Sequence, residues 1–333
     1  MCNAGSSQGI SHKKLRRAGF TLVEMMVAMA VTLLLMTVLL TTLSQTASIW
    51  QRTRERVGSY QSARFAFDLI RKTLSQATMN VYSGYDNDTT PTAYLRKSDL
   101  NFVIATPPRS DFGQGNAVFF QAPLGITADA NSTTPLPALL NATGYFLDYG
   151  KDPDLPSNLA ALDRNRFLLK QYRAPSETMS VFTDKTGDTW FKQDIADGKN
   201  LSVIAQNVIL MLFWPRLPEE EDTTGNALSE NFLYNSRSGA NVVPQPLTAN
   251  QAPPLVQVTL VAVDEISMRR LSDAATPPTE IVSALQSLFR ISTSDAYAAD
   301  LGVLEARLNA AKIGYQVFTA TIPIRESKWS KTQ

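Results

Sequence analysis

The sequence predicts an α+β fold: one long N-terminal α-helix, membrane-spanning in its first half, packed on an antiparallel β-sheet domain. Three observations carry this. Residues 20–43 are apolar with one ionisable side chain, Glu24. An apolar stripe at helical spacing continues to Ala77. Beyond residue 100, short alternating or apolar runs recur between clusters of Pro, Gly and Asn.

The 24 residues from Phe20 to Leu43 make a helix of about 36 Å, enough to cross a hydrocarbon core of about 30 Å. No charged residue occurs from Met25 to Gln51. Lys13, Lys14, Arg16 and Arg17 precede the run, with His12, and place the N-terminus on the cytoplasmic side of the membrane. Trp50, followed by Arg52 and Arg54, reads as an interfacial anchor on the far side. A secretory signal would have an apolar core of only about 7–15 residues and a small-residue cleavage site. A plain signal-anchor leaves Glu24 unexplained. A carboxylate in the bilayer costs about 2.5–3.5 kcal/mol on insertion scales for a central Asp, less toward the interface.

Val57, Tyr60, Ala63, Phe67, Ile70, Leu74 and Ala77 share one helical face, with Arg64, Asp68, Arg71 and Lys72 largely off it. The first proline is Pro91, and Gly58 weakens the helix by only about 1 kcal/mol. One helix over 20–80 is expected. Strands are expected at Asn101–Ala105, Ala117–Ala122, Gly144–Tyr149, Arg166–Tyr172, within Leu201–Trp214, at Leu255–Val263 and at Gln316–Ile324. Pro323 in the last of these suits an edge or a strand end. Residues 217–253 read as a long loop, and 278–312 as one or two short helices between the last two strands.

The chain has 333 residues, 31 basic and 30 acidic. Without residues 1–19 it keeps 27 basic against 30 acidic, which gives no charge footprint for nucleic acid or an anionic membrane. The single cysteine, Cys2, and the single histidine, His12, both precede residue 20. The remainder therefore has no disulfide, no Cys/His zinc site and no His-dependent nucleophile.

Gly19-Phe20-Thr21-Leu22-Val23-Glu24, after a basic segment and before a long apolar run, resembles the cleavage and methylation motif of type IV prepilins and type II secretion pseudopilins. The resemblance implies processing after Gly19 by a prepilin peptidase, N-methylation of Phe20, and an assembly role for Glu24. It also implies a pilin-like fold, with a cleaved leader (1–19), a long helix (20–80, spanning at 20–43) and a periplasmic α+β domain (81–333). Implied partners are the peptidase, sibling pilins or pseudopilins meeting helix to helix, and an inner-membrane assembly platform. The location implied is a single-pass inner-membrane protein with its C-terminal domain periplasmic or extracellular. The order of helix and strands is similar to the J-type minor pseudopilins and, as a closer subgroup, to the C-type prepilin-like protein of the Verru_Chthon cassette. The loop at 217–253 and the helices at 278–312 depart from the compact J-type pattern.

The chemistry of the motif is electrostatic. Cutting after Gly19 creates a cationic amine on Phe20, which can pair with the Glu24 carboxylate of a neighbouring helix and relieve the penalty of both. No catalytic residue, metal ligand or cofactor is expected. Asp86-Asn87-Asp88 reads as a polar turn, lacking the glycine and distal Glu of a calcium loop. Glu219–Asp222 reads as a solvated acidic stretch, and Asp264-Glu265 as a strand end without an opposing acid. Asn87, Asn131 and Asn141 head sequon-like triplets of no expected consequence, and Trp190, Trp214 and Trp329 read as packing residues. A filament subunit is the leading function. A ligand-binding or adhesive minor pilin, with 217–253 or 278–312 as its recognition part, is the alternative. An anchored periplasmic enzyme would have to rely on carboxylates alone.

Overall fold

A computed structural model describes residues 21–87, 89–108, 115–128, 136, 138–153, 164–184, 189–271 and 274–330, and only the backbone at 48, 51–57 and 59. The chain divides into two compact units, Met1–Thr53 and Arg54–Gln333. Helix α1, Leu22–Leu74, supplies the described part of the first unit and opens the second.

In the first unit, Leu22–Ala47 is long and apolar enough to cross a membrane, and its side chains are exposed. Its hydroxyls turn back onto the helix. Thr32 donates to the Ala28 carbonyl at 2.7 Å, Thr37 to Leu33 at 2.6 Å and Thr42 to Leu39 at 2.9 Å. Ser44 donates to Thr41 at 2.8 Å and Thr46 to Thr42 at 2.8 Å. Such groups need no water and no neighbour, which is what a lipid environment requires.

In the second unit, α1 buries Ala63, Ala66, Phe67, Ile70 and Leu74 and exposes Arg64, Asp68, Arg71 and Lys72. Each large aliphatic buried there contributes about 1.5–3 kcal/mol. The helix stops at Leu74, six residues short of the sequence expectation. Gln76 and Ala77 N–H close tight turns onto Thr73 and Leu74, and Thr78 N–H then bonds the Gln121 carbonyl at 2.9 Å. Ala77 and Met79 stay buried, so the apolar stripe continues in extended backbone.

Strands β1 (Tyr82–Tyr85) and β2 (Tyr94–Lys97) form a separate antiparallel hairpin. A six-stranded antiparallel sheet uses β3 (Val103–Ala105), β4 (Ala117–Pro123), β5 (Leu140–Gly150), β6 (Arg166–Ala174), β7 (Leu201–Gln206) and β9 (Tyr234–Asn235). Its order is β7-β6-β5-β4-β3-β9. A three-stranded sheet has the order β11-β10-β8, with β8 Val208–Arg216, β10 Leu255–Val263 and β11 Tyr315–Pro323. Pro323 ends an edge strand, where its missing N–H removes no ladder bond. Phe67 of α1 meets Phe318 of β11 at 5.9 Å between ring centroids.

The run Leu201–Trp214 is two strands in two sheets. Asn207, at φ 61°, divides them, donating its N–H to Phe167 of β6 and accepting from Val263 of β10. Asn tolerates this left-handed geometry better than the apolar residues beside it. One face of the six-stranded sheet carries an aromatic cluster in which Phe119 stacks on Phe191 at 3.6 Å, just before α2 (Lys192–Ala196). Gly144 makes room for it, since a Cβ there would fall 2.1 Å from the Phe119 ring. Lys170 and Asp148 form a buried ion pair at 2.7 Å on strands β6 and β5.

Helices α3 (Glu265–Arg270), α4 (Thr279–Leu285) and α5 (Ser294–Ala310) lie between β10 and β11. The sequence anticipated the last two. The segment 217–253 is largely irregular but not detached. It lends β9 to the large sheet and locks onto the helical insert through Ser292 N–H to Glu230 and Ser294 N–H to Thr224. Trp214 stands where they meet, with Phe232 at 5.5 Å and Tyr297 at 5.3 Å.

Candidate functional site

The candidate site is the first turn of α1. Thr21 is the N-cap. Its carbonyl accepts the first helical bond, from Met25 N–H at 3.2 Å. Its hydroxyl oxygen accepts the Glu24 N–H at 3.2 Å, while the Glu24 carboxylate accepts the Thr21 N–H and hydroxyl, both at 3.3 Å. This is a reciprocal capping box, which satisfies two backbone donors that the helix cannot. It also places a negative charge at the positive end of the helix dipole. The sequence reading gave Glu24 an assembly role and passed over Thr21. The signal was present as Thr21-x-x-Glu24 ahead of an apolar run.

Gly19, Phe20, Lys13, Lys14, Arg16 and Arg17 lie outside the described residues. Trp50 projects from α1 with two thirds of its surface exposed, three residues beyond the apolar stretch.

Residues 14–40 match the prokaryotic N-terminal methylation motif. The match supports a type IV prepilin-like chain over the segment containing Gly19, Phe20 and Glu24. Chains with this motif are generally structural, and generally meet a peptidase and other pilins. No curated protein and no solved structure matches the chain. Among the described residues one helix, near the N-terminus, is long and apolar enough to cross a membrane, which suggests a single-pass anchor.

Several of the other polar candidates are held in structural hydrogen bonds or ion pairs. Asp86 closes the β1–β2 turn, bonding the Thr92 hydroxyl, Thr92 N–H at 2.9 Å and Ala93 N–H at 3.1 Å. These bonds, that of the hydroxyl first, hold its carboxyl well below the usual range. Asn87 accepts Thr89 N–H in the same turn, and Asp88 and Asn131 lie outside the described residues. Glu219 to Glu221 are exposed, whereas Asp222 is buried. Burial disfavours the Asp222 carboxylate, but bonds from Ala227, Gly225 and Thr224 outweigh it and lower its pKa. Asp264 caps α3 through Ser267 N–H at 2.6 Å. Glu265 is held by Arg166 at 2.7 Å, Arg269 at 3.2 Å and Asn207 at 2.7 Å.

Asn141 is fully buried, with its amide bonded to Ile126 and Ala174. Trp190 and Trp214 are core residues, and Trp329 packs partly buried against the core. Burial, as the largest cause, pushes the Tyr145 hydroxyl up to about 12. Among the described residues no group of three or more His, Cys, Asp and Glu is placed to hold a metal ion.

Proposed function

We propose that the chain is a minor pseudopilin or prepilin-like structural subunit, cut after Gly19, N-methylated on Phe20 and assembled into a type II secretion-like pseudopilus or type IV pilus-like filament. The observation that carries this reading is a helix start fixed at Thr21 and Glu24, inside the matched motif and immediately after the expected scissile bond. In it, the peptidase leaves a cationic amine on Phe20. The apolar part of α1 holds the subunit in the inner membrane, N-terminus cytoplasmic, until assembly. There the Glu24 carboxylate turns from its own helix to the amine of a neighbour. Lys13, Lys14, Arg16, Arg17 and Trp50 set the membrane register, and the domain after residue 80 lies on the periplasmic or outer side.

The order of strands and helices favours the J-type minor pseudopilins as relatives, with the C-type Verru_Chthon cassette protein as the nearest subgroup. A domain of this size suits a priming or tip position better than a repeating shaft. Mass spectrometry of the N-terminal peptide, after co-expression with a prepilin peptidase, tests the reading. The expected product begins at methylated Phe20; a start at Met1, or after residue 40, refutes it.

One observation favours a second reading, a ligand-binding or adhesive minor pilin. The segment 217–253 and helices α4 and α5 form one interlocked lobe, joined at Ser292 and Ser294. Substituting exposed residues of that lobe, and scoring filament formation apart from ligand capture, separates the two readings.

A further inference from the structure

Among the described residues, β11 is the longest sheet edge that the fold leaves open. β1 and β2 have four residues each, and β9 has two. β7 has six and a shifted register against β6. The outer side of β8 is taken by Asn116, whose N–H donates to the Met211 carbonyl and whose side chain bonds Phe213. β11 has nine residues, pairs with β10 in unbroken register and carries no charged side chain. β10 is almost wholly buried, whereas Ile322 is the single buried residue of β11.

The bonds at its two ends fix which way its backbone points. Asp264 N–H donates to the Gly314 carbonyl and Ile324 N–H to the Pro254 carbonyl, both at 3.0 Å. In an antiparallel ladder such bonded pairs recur at every second residue. Gln316, Phe318, Ala320 and Ile322 therefore turn their N–H and C=O toward β10. Tyr315, Val317, Thr319 and Thr321 turn theirs outward, and Pro323, which has no N–H, falls in the same outward set. Among the described residues one bond reaches these outward backbone groups, from the Gln316 side-chain amide to the Val317 carbonyl at 3.3 Å. Thr319 and Thr321 are exposed. The open run ends beyond Pro323, where Arg325 N–H is already bonded to the Ser75 carbonyl at 3.1 Å. Such a row of unpaired donors and acceptors is a template for another strand, which natural edges resist by charge, shortness or a bulge. β11 has none of these guards, and Pro323 protects only its end.

We propose that β11 pairs antiparallel with the β11 of a second copy of this chain, across a two-fold axis at Thr319. The edge is complementary to itself. Centred there, Thr319 meets Thr319, Val317 meets Thr321, and Tyr315 N–H meets the Pro323 carbonyl, so every outward N–H finds an outward carbonyl. The missing N–H of Pro323 falls at the rim, and no like charges stand opposite one another. The same register sets Ile313 opposite Arg325 of the second copy. Glu305 stands beside Ile313 in a groove of about 590 Å³ that follows the start of β11. Neither the Glu305 nor the Arg325 side chain has a hydrogen bond or ion pair among the described residues, so each copy offers an acid where the other brings a base. An isologous contact closes at two copies, whereas the filament of the proposed function needs open, head-to-tail contacts. The pair would have to separate before a subunit is built in.

The test uses the full-length chain with Cys2→Ser, in excess detergent, where sedimentation equilibrium should show monomers and dimers. Thr319→Pro removes an outward N–H and leaves the β10 ladder intact, as Pro323 already does. In a chain whose melting is unchanged it should weaken self-association about tenfold or more, because the two central bonds across the axis are lost. Arg325→Glu should weaken it about two- to fivefold, and Glu305→Arg in the same chain should restore it. Cysteine coupling reads the register, since bonded pairs lie about 5.5 Å apart, within disulfide reach. Thr319→Cys chains should couple to themselves. Val317→Cys and Thr321→Cys chains should couple when mixed and not alone. A parent that stays monomeric, a Thr319→Pro chain that associates like its parent, or Val317→Cys chains that couple to themselves would overturn the proposal. The second result would leave the apolar helix as the source of pairing. None of these readouts depends on processing after Gly19, so the pairing and the filament reading can fail separately.

Discussion

Glu24 has two separable tasks, and three substitutions separate them. In the single subunit it completes a cap made of three hydrogen bonds of 3.2–3.3 Å with Thr21. In the proposed filament its charge faces a neighbour's amine. Glu24→Gln keeps an oxygen that can accept the Thr21 N–H, since Gln serves in a capping box as Glu does. It removes the charge alone. Thr21→Val removes two of the three bonds and keeps the charge. Glu24→Ala removes both functions. An N-cap contributes about 1 kcal/mol, so Thr21→Val should speed hydrogen exchange at the residue-24 amide about fivefold. Leaving a buried cation without its partner costs about 3–5 kcal/mol, more than about a hundredfold in the assembly equilibrium. Glu24→Gln should therefore show normal exchange at residue 24, normal processing and severely reduced incorporation into filaments. The assays are exchange by mass spectrometry on detergent-solubilised protein and quantification of sheared filaments. A Glu24→Gln chain that assembles like its parent would falsify the charge-pairing mechanism, whatever Glu24→Ala does.

Two further predictions concern the second unit. Tyr297→Ala removes ring contacts with Trp214 and Phe289 and a 2.7 Å bond to Thr259, at a cost below the about 3–5 kcal/mol of a fully buried Phe→Ala because Tyr297 is only partly buried. Exchange should quicken at Ser292 and Ser294 and also in 217–253; a response confined to the helical insert would refute the interlocked lobe. Asp222 has a lowered folded-state pKa, so its contribution is complete above the ordinary carboxylate range near about pH 4 and is lost as pH falls through the lower folded value. Asp222→Asn should flatten the acid side of a stability–pH curve, and an unchanged slope between parent and variant would sink this assignment.

The parts of the fold legible in sequence are those where local pattern and tertiary demand agree. An unbroken apolar run without proline specified the first half of α1, and the spacing from Ala63 to Leu74 specified its buried face. The strands at 117–122, 166–172 and 255–263 announced themselves because both faces or alternate positions are buried. The end of α1 was not legible, because a bond from Thr78 to Gln121, 43 positions away, ends the helix where periodicity would extend it. Nor was the break at Asn207, a polar residue in a continuous run whose two sides belong to different sheets. Hairpin β1–β2 hides in a polar stretch without alternation. Helix α3 did carry a signal, Asp264 as a cap, but the preceding strand ran straight into it. At the candidate site the motif was plain, and only the Thr21 half of the cap went unread.

The threonines and serines along Leu22–Ala47 have a mechanical consequence. Each named hydroxyl is already answered by its own backbone, so in the proposed filament these hydroxyls would offer a sister helix little polar grip. Such a shaft can rotate or advance along another without rupturing a directional bond at every step. In the proposed filament, registration would then fall to the charged tip and to the domain after the helix, a division that suits a part drawn out of oil one click at a time.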